Sequence, residues 1–215
     1  SMNASSPFYE REETQFDSVR LHIVDAFPLS GTLPFLTSWE EFLEHYHQLE
    51  QRGIIKKIGN LYWDIRPQPD YGTLEIRIFD APLTLMQAVA AGAYVQTLAL
   101  YLLEERPFEL NKEMYLSYAY NRFQAARYGF KGMINHYPEN VTTSIQADML
   151  ITLQKLKPYA KYLNTETYLD LITETVAQQN NDASKIRLAY KELHTMEEIV
   201  MFQSARWMEQ TRITA

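Results

Sequence analysis

Residues 61–80 read Leu61-Tyr62-Trp63-Asp64-Ile65-Arg66-Pro67-Gln68-Pro69-Asp70-Tyr71-Gly72-Thr73-Leu74-Glu75-Ile76-Arg77-Ile78-Phe79-Asp80, and two short runs in them alternate strictly. Leu61, Trp63 and Ile65 are apolar, with Tyr62, Asp64 and Arg66 between them. Leu74, Ile76 and Ile78 are apolar, with Thr73, Glu75 and Arg77 between them. A period of two sends alternate side chains to opposite faces of a strand, and the β-branched and aromatic content suits strands. Pro67 to Gly72 is rich in turn formers. The pattern predicts an antiparallel hairpin with Pro67–Gly72 as its loop. Arg66 then faces Thr73, Asp64 faces Glu75 and Tyr62 faces Arg77, all on one face, while the apolar face packs on the core. Two carboxylates directly opposite each other are destabilising unless a cation or the neighbouring arginines compensate. The plainer reading of the same row is a solvated face with surface ion pairs worth at most ~1 kcal/mol each.

Working outward, Ser38-Trp39-Glu40-Glu41 is a capping box opening a helix to about Gln51, with Gly53 past its end. Thr84-Leu85-Met86-Gln87 caps a second helix running to about Glu105 and stopped by Pro107. Ala81 to Leu103 carries no charge, long enough for a membrane span. Interrupting Thr84, Gln87, Gln96 and Thr97 and flanking acidic residues favour a buried helix, with small Ala88, Ala90, Ala91, Gly92 and Ala93 letting the hairpin's apolar face rest on it. Asn111 to Tyr128 reads as a third helix stopped by Gly129. Helices are predicted over 143–157, 165–179, 182–192 and 195–211. The fold class is α+β, one domain over 1–215: an irregular arm over 1–36 with an extended piece at His22-Ile23-Val24-Asp25, the hairpin and central helices over 37–130, and a helical part over 140–213.

At 46% hydrophobic residues the chain is not disordered. A net charge of −7 with no basic run argues against a nucleic-acid partner. The absence of cysteine excludes disulfides, thiolate nucleophiles and cysteine metal ligands, and is compatible with a cytoplasmic setting. No Gly-rich phosphate loop, G-x-S-x-G elbow or H-E-x-x-H helix occurs. His45 and His47 are two apart and point to different faces of a helix.

Several stretches resemble one family. Trp63-Asp64-Ile65-Arg66-Pro67, Gly72-Thr73-Leu74-Glu75-Ile76-Arg77 and Asp80-Ala81-Pro82-Leu83-Thr84-Leu85 are similar to W-D-[IL]-R-P, G-T-[LV]-E-[VI]-R and D-T-P-L-T-L of the carboxylate–amine ligases of the glutamate–cysteine ligase type. Ser6-Pro7-Phe8-Tyr9, Thr14-Gln15-Phe16-Asp17-Ser18-Val19-Arg20 and Asn121-Arg122-Phe123-Gln124-Ala125-Ala126-Arg127-Tyr128-Gly129 resemble further family motifs in the same order, with Ser5, Gln15 and Val19 departing from them.

The resemblance implies a glutamine-synthetase-like sheet and an ATP- and Mg2+-dependent ligase. Such an enzyme phosphorylates the γ-carboxylate of glutamate and lets an amine such as cysteine attack the acyl phosphate, as in glutathione biosynthesis. It implies Glu75 as metal ligand, Arg77 and Arg66 as catalytic arginines, and Asp64, Arg20, Arg127 and Asn121 as substrate- or ATP-binding residues. The family's G-[IV]-E-x-E strand is not found, so the resemblance points to a C-terminal portion, inefficient at ATP turnover by itself. Its partners would be glutamate, an amine and ATP, and either a second copy or the missing N-terminal half, with no nucleic acid and no membrane. The alternative is a non-catalytic helical interaction or regulatory module that retains the ligase architecture.

Overall fold

A computed structural model describes residues 1–109 and 111–212, the last four of these by backbone alone; residue 213 of the predicted helical part lies outside the described residues. The arm holds β1 (Phe8–Tyr9), β2 (Glu12–Glu13), α1 (Arg20–Asp25) and β3 (Ser30–Gly31). Then come α2 (Trp39–Gln51), β4 (Tyr62–Trp63), β5 (Ile65–Gln68), β6 (Thr73–Ile76), α3 (Leu85–Glu105) and α4 (Lys112–Tyr128). The chain continues through β7 (Met133–His136), β8 (Val141–Ser144), α5 (Ile145–Leu163), α6 (Glu166–Ala177), α7 (Asp182–Leu193) and α8 (Met196–Arg212). The fold is α+β, mainly helical, with small separate two-stranded sheets among the described residues. Three of these pairs are antiparallel, and β3 with β4 is parallel.

The helix starts follow from local chemistry. Ser38, Thr84, Asn111, Ser144 and Asn181 each accept a hydrogen bond from the backbone N–H three residues on, satisfying a first-turn donor that the helix itself leaves free. The segment at His22–Asp25 is helical, not extended as predicted. Its Ile23 and Val24 suit a strand locally, but burying Leu21 and the ties made by Arg20 outweigh that preference in a helix of one and a half turns. Helix α5 runs through Pro158, past the predicted stop.

Two cores form. In the larger, Ala90 and Ala91 of α3 meet Leu153, Leu156 and Ala160 of α5 and Leu169, Ile172 and Val176 of α6. The small α3 residues permit this close approach, and the buried Thr97 hydroxyl pairs with Thr165 at 2.9 Å, so no polar atom is stranded there. Helix α3 is long and apolar enough to cross a membrane by length and composition; its alanine face is buried between helices, but only 22% of its apolar window is, and Met86, Val89, Leu102 and Leu103 are exposed, so it is less enclosed than the buried helix predicted from the sequence. The smaller core sets Leu61 and Trp63 against Phe42 and Leu49 of α2 and against Ile55. The first half of the predicted apolar row, Leu61 and Trp63, thus rests on α2, while Ile76 of the second half faces Ala88, Ala91 and Gly92 of α3 across a cavity, so the predicted seat on α3 holds only in part; at the tip the row is uncovered, with Leu74 66% exposed.

Candidate functional site

The β5–β6 hairpin forms with a shifted register. Its turn is Pro69–Gly72, where Gly72 takes φ +61°, and Arg66 pairs with Glu75 and Gln68 with Thr73. The predicted opposition of Asp64 and Glu75 is absent. The tighter turn explains why: with Gln68 paired to Thr73, Glu75 falls opposite Arg66 and Asp64 falls two residues further down. Both Arg77 N–H (2.7 Å) and Ile78 N–H (3.1 Å) donate to the Asp64 carbonyl, so two residues of one strand oppose one of the other. The bulge separates Asp64 from the row that Arg66 and Glu75 share.

That row makes one compact cluster. The Glu75 carboxylate accepts from Arg66 Nε at 2.8 Å, from Arg77 Nη1 at 2.5 Å and from the Gln68 amide. Partial burial pushes its pKa up, but these donors outweigh burial and bring it down to about 2, so it is ionised across the physiological range. Arg77 lies with its guanidinium 5.2 Å from the Tyr62 ring centroid, and its Nε is buried without a hydrogen-bond partner. Arg66 is more committed: it is buried, and its Nη1 donates to the carbonyls of Gly59 and Leu61 at 2.9 Å each. It anchors Glu75 to the frame, while Glu75 and Arg77 stay about one-third exposed. A carboxylate has about four lone-pair sites, and three are in use at Glu75, leaving one on Oε1 for a cation.

The other predicted residues sit elsewhere. Asp64 is buried and forms a two-pronged pair with Arg122 (2.7 and 3.0 Å), while the Tyr118 hydroxyl donates to it at 2.9 Å. Arg122 also reaches Asp25 at 2.6 Å. Burial disfavours its charge, but the two carboxylates win and raise its pKa. Burial and the Asp64 charge together push the Tyr118 hydroxyl up. Arg20 donates to Asp80 at 2.6 Å and to the carbonyls of Ile78 and Phe79 at 2.9 Å each, fastening the exit of β6 to the arm. Asp80 is buried and also collects Ser5 N–H, Ser6 Oγ and Ser18 Oγ. Asn121 exchanges two hydrogen bonds with the Asn135 backbone (3.0 and 2.9 Å), pinning β7 to α4. Arg127 donates to Gln15 at 2.6 Å and stacks between the Phe16 and Tyr128 rings.

The structure thus joins Glu75, Arg77 and Arg66 and leaves Asp64, Arg20, Arg127 and Asn121 each in a different place. Sequence reasoning missed Arg122 and Tyr118; their partners lie 58 and 54 residues away, beyond any local pattern. On the opposite side of the ribbon, Ile65 and Ile76 line apolar cavities of 290 and 440 Å³. Among the described residues no three or more His, Cys, Asp or Glu side chains gather as a metal centre.

The comparisons with known proteins agree with one another. The Glutamate-cysteine ligase family 2 (GCS2) profile matches residues 2–200. A Leptothrix cholodnii protein named "Putative glutamate--cysteine ligase 2" is 41% identical over 212 residues, 99% of this chain and 57% of that protein. A Herminiimonas arsenicoxydans protein of the same name is 41% identical over 208 residues, 97% of this chain and 56% of its own. A Legionella pneumophila (strain Paris) protein named "Putative glutamate--cysteine ligase 2-2" is 40% identical over 212 residues, 99% and 55%. The chain spans a little over half the length of these curated relatives.

Proposed function

The chain belongs to glutamate-cysteine ligase family 2, and from that premise we propose that it is part of an ATP- and Mg2+-dependent cytoplasmic ligase joining the γ-carboxylate of glutamate to an amine such as cysteine through an acyl phosphate. The observation that carries this reading is the Arg77–Glu75 pair: an arginine about one-third exposed, with an unpartnered buried Nε, held beside a carboxylate that stays ionised.

Bound ATP would supply the phosphoryl group, and Mg2+ would offset phosphate charge. The residues fit a modest share of that load. Mg2+ is commonly held by one or two carboxylates plus substrate phosphates, and Glu75 has one acceptor position left for it. Arg77 presents its guanidinium to phosphate or carboxylate oxygens, where a charge-assisted hydrogen bond orients the group it holds. Arg66 positions Glu75 and thereby Arg77. Tyr62 flanks Arg77 and limits its swing. A single carboxylate here supports a division of labour in which further metal ligands come from outside these residues, so this chain alone turns over ATP slowly at best.

The test is Mg-ATP protection. Mg-ATP should raise the Tm of the chain, and Glu75→Gln and Arg77→Ala should each abolish the rise without unfolding the protein. No rise in the parent chain would favour the second reading, a non-catalytic module with ligase architecture. The absence of a gathered metal centre among the described residues is the observation on that side.

A further inference from the structure

We propose that the cavity between the arm, the exit of β6 and α3 is a binding site for a small, uncharged and mainly apolar molecule that carries one carbonyl group. The cavity measures 440 Å³, within the ~300–1,000 Å³ usual for small-molecule sites. Its floor is one face of α3: Ala88, Ala91, Gly92 and Val95 follow at the i, i+3, i+4 and i+7 spacing that aligns side chains along a helix. Ile76, Phe79 and Pro82 supply the apolar wall. Ile76 points to the face of β6 opposite Glu75, so the site is separate from the acid–arginine cluster and does not depend on the ligase reading.

Two polar side chains in the lining decide what fits. Asp80 has nothing left to offer: its carboxylate accepts from Ser5 N–H, Ser6 Oγ, Ser18 Oγ and Arg20 Nε at distances between 2.6 and 2.9 Å. With that charge already paired with Arg20, the cavity favours an uncharged guest. Asn3 is the reverse case. It lines the cavity at 8% exposure, and its Nδ2 is shut away from water with no hydrogen-bond partner among the described residues. A buried amide donor left unpaired carries a desolvation cost that a bound acceptor recovers. A turn of the amide about its last bond presents this donor to a carbonyl seated in the cavity. Gly92 leaves the floor open, since a Cβ there would meet nothing within 4 Å. An apolar basin of ligand size with one unspent, buried donor suits a ring or branched chain bearing a single carbonyl oxygen.

The test titrates the 215-residue chain with acetophenone and, in parallel, with isopropenylbenzene, which has the same shape with a methylene in place of the oxygen, reading calorimetric heat and Tm. Saturable binding of acetophenone is expected, about fivefold tighter than that of the hydrocarbon, the share of one neutral hydrogen bond. Asn3→Leu keeps the bulk without the donor and should erase that preference. Gly92→Leu fills the open floor and should abolish binding of both probes without lowering Tm, because leucine favours a helix over glycine. Gly92→Ala is too short to fill the cavity and should leave both probes bound. The proposal fails if acetophenone does not bind, if the hydrocarbon binds as tightly, if the preference survives Asn3→Leu, or if binding survives in a folded Gly92→Leu chain. It also fails if the chain self-associates in sedimentation and Gly92→Leu dissociates it, since a second copy then covers the cavity. Mg-ATP protection is read through Glu75 and Arg77, so either proposal can fail without the other.

Discussion

Two acid–arginine clusters hang on the same ribbon and behave as opposites. Around Asp64, Arg122 and Tyr118 the charges are buried, paired and fully hydrogen-bonded. Around Glu75 and Arg77, a dozen residues along, they are a third exposed, and one guanidinium nitrogen lacks a partner. The residue types are nearly the same; burial and saturation differ. A saturated buried pair fixes geometry and has nothing left to offer a ligand, whereas an exposed, unsaturated pair can exchange a protein contact for a ligand contact at little cost.

That contrast can be broken by mutation, most severely at the buried end. Arg122→Ala strands the Asp64 carboxylate away from water and should cost ~3–5 kcal/mol, seen as a large fall in the urea midpoint; a loss comparable to that of Arg77→Ala would erase the distinction. Tyr118→Phe removes one hydrogen bond to the same carboxylate and should cost about 1 kcal/mol, measured likewise. Arg77→Ala should cost less than ~1 kcal/mol, because the exposed pair is screened, and should show its effect in nucleotide protection instead. The smallest effect is on the acid limb. The folded Glu75 pKa is depressed to about 2 from 4.5, so its contribution is present above pH 4.5 and is lost as pH falls toward 2. Glu75→Gln should flatten the stability profile in that window, because the variant already lacks at neutral pH what the parent loses in acid; an unchanged acid limb would show that the Arg66 and Arg77 contacts do not persist in solution.

Legibility in the sequence followed the range of the interactions. Ser38, Thr84 and Asn111 were readable as helix starts because each cap bonds to a backbone group three residues on. The hairpin was readable because alternation is local, and Tyr62 does lie beside Arg77. Its register was not, since the alternation does not say that Pro67 and Gln68 belong to the strand and not to the loop. The β7–β8 hairpin was missed: its strands are four residues each, with little apolar alternation, and their pairing leans on Asn121 from a separate helix. For the site, Glu75, Arg77 and Arg66 lie close in sequence and were found together. The separation of Arg20, Arg127 and Asn121 from them depends on Asp80, Gln15 and Asn135, contacts that only the folded chain brings about.

The doubled hydrogen bond at the Asp64 carbonyl makes the ribbon behave like a ratchet with one fixed tooth. Length can be added at the tip beyond Gln68 and Thr73 without disturbing what lies below it. Deleting a single residue between Arg77 and Phe79 would remove the tooth and turn either the guanidinium or the Arg20-bound carbonyls to the wrong side. Evolution and protein engineering alike are therefore free to redecorate the turn, but must carry the stem as one indivisible cassette.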